Sequence, residues 1–453
     1  MTEQKIDSDS ANDIDLLQDL VARARKAGAD AADAVLFEGI SLSHARRLGK
    51  TEKLERSEGQ DLGLRVLVGK QQAIVSSSDR SPKMLAELVE RTLAMARAVP
   101  EDPYCGLADP GEVVHDWPKL DMLDPAEPSA ETLIERARAV EEAALAVSGI
   151  TNSEGAEAGW GRSRVALAAS NGFAGFYAGS HHSVAVAVIG GSGTKMERDY
   201  DFASAVYAGD LRDPAEIGKS AGERTVKRLG ARKMATCRVP VVFDPRVARS
   251  FLSHLLGAIS GPSIARGTSF LKDKLGQRIF PEAITITEDP HRRRGHRSRP
   301  FDAEGLANRR YALIDQGVLT TWLLDLRSAR QLGLKSTGHA TRGTASPPSP
   351  SATNIWFEPG AATPAELMAD IKSGFYVTEL MGMGVNGLTG DYSRGAAGFW
   401  IENGEIAFAV SEMTVAGNLN DMFARLTAAN DLEFRTGADA PTLRIDDLTV
   451  AGA

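Results

Sequence analysis

The chain has 453 residues, 43% of them hydrophobic and 25% charged, with a formal net charge of −8 at pH 7. That length exceeds one ordinary core and points to two domains, the composition is that of a soluble globular protein, and the acidic balance argues against general affinity for nucleic acid. The longest apolar runs, at 184–189 and 238–243, are strand-sized, and the N-terminus is polar and acidic, so neither a membrane segment nor a signal peptide is expected and the location is read as cytoplasmic, with Cys105 and Cys237 as reduced structural thiols.

In chain order, residues 13–27 place Ile14, Leu17, Leu20, Val21 and Ala24 on one helical face, with Gly28 as the stop. Residues 32–77 read as successive strands, with Leu64, Val66 and Val68 on alternate positions and a turn at Gly69-Lys70. Ser81-Pro82 starts a helix to about Ala98 with Leu85, Leu88, Val89 and Met95 as packing residues. The proline- and acid-rich residues 100–128 form an ordered connector or a lid-like loop. Ser129 then caps a helix to about Val147, ended by Gly149; residues 150–192 return to strands, and Asp213-Pro214-Ala215-Glu216 opens a helix ending at Gly230.

The basic run at 229–245 marks a boundary between an N-terminal mixed α/β domain, 1–235, and a C-terminal domain, 236–453, dominated by antiparallel β-sheet; the class is α+β. In the second part Asp244-Pro245 caps the helix VARSFLSHLLGAIS, the capping box Thr363-Pro364-Ala365-Glu366 opens a helix ending at Gly374, and a third helix covers 419–428. The segments RRYALIDQGVLTTWLLD, TNIWFEPG, GFWIENGEIAFAVSEMTVAG and PTLRIDDLTVAG alternate as antiparallel strands.

Residues 375–406 stand apart. Eight glycines fall between Gly374 and Gly404, among them a loop at 381–404 carrying Asn386, Thr389, Asp391, Tyr392, Ser393 and Arg394. Glycine at this density permits positive φ and close backbone approach, which suits holding a peptide or a partner; it equally suits β-turns between antiparallel strands.

Recognisable catalytic chemistry is missing. His254 is followed by Leu255, and the positions four and five later are Ala258 and Ile259, so this helix lacks the paired histidines and glutamate of a zinc peptidase and His254 reads as a packing or hydrogen-bonding residue. His181 and His182 point to opposite faces of a strand, and His291 and His296 lie among five arginines in twelve residues, which repel a cation unless acids intervene. There is no GxSxG elbow around Ser393, GMGVNG lacks the strand, helix and acid of a dinucleotide loop, and Cys237 reads as core. Asp302 and Glu304, with Asp391 and Glu402, could form an acid pair if the fold gathers them. No catalytic residue and no metal ligand is assigned.

Taken together, RPFDAEG, LLDLRSARQLGLKSTGHA, TNIWFEPG, NGLTGDYSRGAAGFWIENGEI and APTLRIDDLTVAG resemble the TldD/PmbA family, specifically its TldE (PmbA) branch, over nearly the whole chain. The resemblance implies one subunit of a cytoplasmic heteromeric metalloprotease that cleaves unfolded peptides, including microcin precursors and an antitoxin. In the TldD branch an HExxxH helix and a later cysteine hold zinc; SFLSHLLGAISG lacks that pattern, and DLEFRTGADAPTLRI has no cysteine. The implied role is therefore a non-metal subunit that completes the chamber, with zinc in a TldD-like partner and unfolded peptide as substrate. Asn386, Gly387, Thr389, Gly390, Asp391, Tyr392, Ser393 and Arg394 are the expected substrate or partner contacts, against a local turn network in which Asp391 and Arg394 satisfy backbone or each other. Two other readings stay open: a stand-alone hydrolase, and a binding protein acting on a DNA gyrase-related target through Arg292, Arg293 and Arg294.

Overall fold

The computed structural model describes residues 3–452, with side chains from residue 11 onward. Helix α1 (Glu3–Lys26) begins ten residues before the apolar periodicity does. Leu17, Leu20 and Ala24 are its buried stripe, and Gly28 at φ +108° ends it. The hairpin β1 (Ala31–Arg47) and β2 (Lys50–Val68) follows, then β3 (Gln71–Ser77), α2 (Pro82–Ala98), α3 (Ala130–Leu145), β4 (Ile150–Ala169), β5 (Ala174–Gly190), β6 (Glu197–Ala205) and α4 (Pro214–Lys227). The six strands form one antiparallel sheet in the order β3-β2-β1-β4-β5-β6.

Alternation along β1 decides what covers each face. Ala32, Ala34 and Leu36 pack with α1 and α2, while the intervening Val35 meets Ala108, Val113, Phe301 and Leu306. Both faces are therefore buried there, one under helices and the other under the connector and the C-terminal half. Residues 100–128 contain no helix and only an isolated bridge, Val113 to Leu306. They are pinned rather than loose: Trp117 packs edge-on against Phe301 with centroids 4.7 Å apart, and the Ser180 and Arg294 amides donate to the Met122 and Leu120 carbonyls. Of the packing residues expected on α2, Leu85, Leu88 and Val89 are buried, but Met95 is 44% exposed because it falls off the apolar stripe.

The C-terminal half contains β7 (Cys237–Phe243), α5 (Pro245–Ala248), α6 (Ser250–Ala258), α7 (Gly261–Ala265), β8 (Ile286–Asp289), β9 (Tyr311–Asp315), β10 (Val318–Leu319), α8 (Leu326–Leu332), β11 (Ala340–Thr341), β12 (Ser349–Pro350), β13 (Asn354–Phe357) and α9 (Pro364–Met368). After these come β14 (Ser373–Met381), β15 (Asp391–Glu402), β16 (Glu405–Asn418), α10 (Leu419–Ala424), β17 (Leu426–Ala428), β18 (Ala438–Asp439) and β19 (Leu443–Ala451). One sheet runs β16-β15-β14-β7-β19-β17, and β19 also pairs with β16, so five of its strands close into a ring. A second sheet runs β10-β9-β8-β13-β18, and β11 pairs with β12. Most pairings are antiparallel, with β14 to β7 and β13 to β18 the parallel ones. Val241, Phe243, Phe251, Leu255, Ile286, Leu313, Phe375, Trp400 and Ile445 belong to one apolar core that joins the two sheets and α6. The chain is an α+β protein with mostly antiparallel sheets.

In the C-terminal half, three helix boundaries differ from the sequence reading. The helix after Asp244 breaks at Arg249 into α5 and α6. The Thr363 capping box forms reciprocally with Glu366, but α9 ends at Met368 and not Gly374, since Phe375 is already a core residue of β14. The helix from Leu419 stops at Ala424, where Leu426 enters register with Ile445 of β19. Cys105 and Cys237 are free thiols. No helix among the described residues is long and apolar enough to cross a membrane.

Candidate functional site

Helix α6 is set by two local features. Asp244 accepts from the Arg246 amide and starts the helical turn, and Phe251, Leu252, Leu255 and Ala258 bury one face in the core. The remaining face carries Ser250 and Ser253 along the wall of a cavity of about 500 Å³. Strand β6 supplies Arg198, Asp199 and Tyr200; the end of α4 supplies Arg228; Arg246 comes from α5, Thr378, Glu379 and Leu380 from β14, Arg394 from β15, and Arg249, Arg297 and Thr436 from connecting turns. The cavity thus lies where the N-terminal sheet meets the C-terminal half.

Its charges divide into two sets. Asp199, only 3% exposed, accepts from Arg246 at 2.7 Å, and Arg228 reaches Glu379 at 2.6 Å and Asp199 at 3.7 Å. Burial disfavours the Arg246 charge, but the hydrogen bond and field of Asp199 outweigh it and hold the guanidinium protonated. The second set has no carboxylate. Arg249 donates from Nε to the Arg246 carbonyl at 3.1 Å and from Nη1 to Thr436 Oγ1 at 3.3 Å; Arg394 donates to the Leu380 carbonyl at 3.5 Å and lies against the Tyr392 hydroxyl. Ser250 Oγ and His254 Nε2 are buried and unpartnered.

His254 stands behind this wall against Phe251 and Tyr392. Burial, and then the positive charge of Arg394, push its imidazole down to about 4, so it is neutral near pH 7. A neutral imidazole can ligate a metal, but zinc needs three or four such donors. Among the described residues no group of three or more His, Cys, Asp or Glu side chains is placed to hold an ion, and the charged neighbour of His254 is a guanidinium. The donor set does not fit zinc.

The structure divides the eight residues singled out in the glycine-rich stretch. The loop proper is the turn between β14 and β15, residues 382–390. Asn386, Gly387, Thr389, Asp391 and Ser393 are exposed at or beside it. Asn386 Oδ1 accepts from the Leu388 amide at 3.0 Å, and Asp391 accepts from Thr389 Oγ1 at 2.6 Å and Asn418 Nδ2 at 3.0 Å. Gly390, at φ +82°, is buried where a Cβ would meet the Asn418 and Asn420 side chains at 3.0 and 3.1 Å. Tyr392 is 2% exposed, so its ring packs in the core rather than at a surface. Arg394 alone of the eight lines the cavity. Asp391 and Arg394 do not pair. The tip is unexpectedly apolar, with Met383 92% and Leu388 57% exposed.

Of the four acids considered as a pair, Asp302 and Glu304 come together and Asp391 and Glu402 sit at opposite ends of β15. Burial pushes Asp302 up to about 6 although three backbone amides donate to it, and burial plus the Asp302 charge raise Glu304 well above the carboxylate range. Neither borders the arginine-lined cavity. The arginine run is committed elsewhere: Arg293 and Arg294 bind Asp121, Arg294 also binds Asp210, and Arg292 lies 3.6 Å over the Phe434 ring. Acids do intervene there, tying the connector down. His182 is fully buried, 3.2 Å from Asp124, while the adjacent His181 is exposed.

Sequence reasoning missed Arg228, Arg246, Arg249 and Arg297. They come from separate segments with no fixed spacing, so no motif could have joined them.

Comparison with known proteins places these features in a family. Residues 236–452, 123–229 and 32–96 match, respectively, the C-terminal domain, central domain and domain 1 of the PmbA/TldA metallopeptidases. The metalloprotease PmbA of Escherichia coli O157:H7 is 39% identical over 93% of this chain and 92% of its own, and the PmbA homolog of Haemophilus influenzae is 37% identical over 95% and 94%. Among solved structures, a Bacteroides thetaiotaomicron protein described as a candidate modulator of DNA gyrase superposes with TM-score 0.89 at 29% identity, covering 97% of this chain and 98% of that one. TldE of Thermococcus kodakarensis, at 21% identity, shares the fold with TM-score 0.85 over 96% of this chain and all of its own.

Proposed function

Because the chain belongs to the PmbA/TldD metallopeptidase family, we propose that it is the TldE-type subunit of a heteromeric metalloprotease acting on unfolded peptides, with zinc held by a TldD-like partner in the cytoplasm. The observation that carries this reading is α6: it presents a single histidine, half-buried against Tyr392 and facing Arg394, where a zinc peptidase needs several donors. Zinc in the partner supplies the Lewis acid and the activated water. This chain's own part is to bind, orient and enclose. An extended peptide can pair its backbone with a free strand edge, and a closed chamber admits disordered chains while excluding folded ones.

The exposed turn at 382–390 is the proposed contact with substrate or partner. Asn386, Gly387, Thr389, Asp391 and Ser393 offer polar groups, Met383 and Leu388 offer apolar surface, and Gly390, Tyr392 and Arg394 hold the turn's base. Microcin precursors and an antitoxin are substrates of the proposed kind. A DNA-associated target is not favoured, since Arg292, Arg293 and Arg294 are already bound to Phe434, Asp121 and Asp210. The test is digestion of a disordered peptide, read by mass spectrometry, with this chain, a TldD-like chain and the two mixed. Cleavage by the mixture alone supports the proposal; cleavage by this chain alone overturns it.

A further inference from the structure

We propose that the cavity beside α6 is a carboxylate-binding pocket, which takes a C-terminal carboxylate or an Asp or Glu side chain of the peptide and so favours acidic substrates. The proposal rests on the peptide-handling role above and names the chemistry of what is held.

Six arginines line the cavity, Arg198, Arg228, Arg246, Arg249, Arg297 and Arg394, against two carboxylates, Asp199 and Glu379. Internal pairing uses up half of them. Arg246 takes Asp199, Arg228 takes Glu379, and Arg198 binds Glu154 at 2.9 Å. Arg249, Arg297 and Arg394 form no ion pair among the described residues; the field of Asp439, outside the lining, reaches Arg297, and the three positive charges face one half-open space. Like charges that share a partly desolvated site repel each other, and an arrangement of this kind is relieved by an anion between them.

The geometry narrows the anion. Guanidinium groups present paired N–H donors that match a planar carboxylate. Ser250, Ser253 and Thr436 add hydroxyl groups to the same wall, beside Arg249 and Arg394, which suits the oxygens of a bound carboxylate. Arg249 and Arg394 are half-buried and Arg297 is exposed, so the site has a guarded interior and a charged rim. A cavity of about 500 Å³ has room for a short stretch of peptide and none for a nucleic-acid duplex.

The experiment is fluorescence anisotropy with the full chain alone and labelled unstructured peptides of equal length, acidic or basic, each with a free or an amidated C-terminus. The acidic peptides are expected to bind more tightly, and less so at high salt. Arg297→Gln and Arg394→Gln should each weaken that binding about tenfold, as loss of one charge-assisted contact does. Arg293→Gln, exposed and outside the cavity, should leave it unchanged. Arg297 is exposed, so its replacement does not endanger the fold, and thermal melts check Arg394→Gln. Loss of affinity on amidation assigns the C-terminal carboxylate as the group held, and its retention assigns the side chains. Equal affinity for acidic and basic peptides, an unaffected Arg297→Gln, or tighter binding of a single-stranded oligonucleotide than of any peptide overturns the proposal. Because the isolated chain is measured, this result is independent of whether the mixture cleaves.

Discussion

His254 stands edge-on to Tyr392, their rings 5.9 Å apart at 81°, with the positive charge of Arg394 beside both. This contact ties α6 to the base of the glycine-rich turn. It also explains why the imidazole is held neutral: protonation would place a second cation next to Arg394 in a mostly apolar setting.

A pH dependence follows. The folded value of His254, about 4, lies below the ordinary 6.5, so the unfolded chain binds more protons between those values. The contribution of His254 is fully present above pH 6.5 and is lost as pH falls toward 4. Asp302, raised to about 6, acts in the opposite sense, contributing stability that is lost as pH rises through 6. Urea unfolding from pH 4 to 7 should therefore show a weaker acid-side loss in His254→Gln than in the parent chain, and a loss of equal slope in both would contradict the assignment.

The ion network at the junction of the two halves gives a second prediction. Asp199→Ala leaves Arg246 and Arg228 without a common carboxylate in a buried setting. Removing one partner of such a group costs about 3–5 kcal/mol. Chemical denaturation should show that loss, whereas Lys233→Ala, which breaks an exposed pair with Glu412, should change stability by less than about 1 kcal/mol.

The glycines of the central stretch are predicted to be unequal. A Cβ at Gly398 would lie 1.9 Å from the Tyr376 carbonyl on β14, while one at Gly387 meets nothing within 4 Å. Gly398→Ala should destabilise by about 1–3 kcal/mol through forced strand displacement, and Gly387→Ala should stay within about 0.5 kcal/mol. Thermal melts of the two variants decide the point.

The apolar tip gives a functional prediction. Met383 and Leu388 project into solvent, so the double variant Met383→Glu and Leu388→Lys should melt with the parent chain. If the tip docks on a partner or a substrate, the variant should lose peptide cleavage in the mixture. Unchanged cleavage would assign the tip no part in the complex.

The parts of this fold that local chemistry encodes were legible in the sequence. Asp244-Pro245 marked the start of the helical turn before α6, Thr363 and Glu366 formed their reciprocal cap, and the alternating segments after Tyr311 became strands. Helix ends were less legible, because tertiary packing set them: Phe375 and Leu426 are drawn into strands by core contacts that no local signal announces. Tyr392 sat in a polar run, DYSRG, yet faces Phe251 across the core, since strand alternation hides one residue in two. The arginine cavity was invisible for a different reason. Its members are distant in sequence and meet only when the N-terminal sheet docks on the C-terminal half.

The most direct measurement is the zinc content of this chain, of a TldD-like chain and of their complex, each purified and assayed with the same disordered peptide. The account predicts no stoichiometric zinc and no cleavage for this chain alone, and zinc with cleavage in the complex. One zinc per copy of this chain, retained with peptidase activity and lost in His254→Ala, would contradict it.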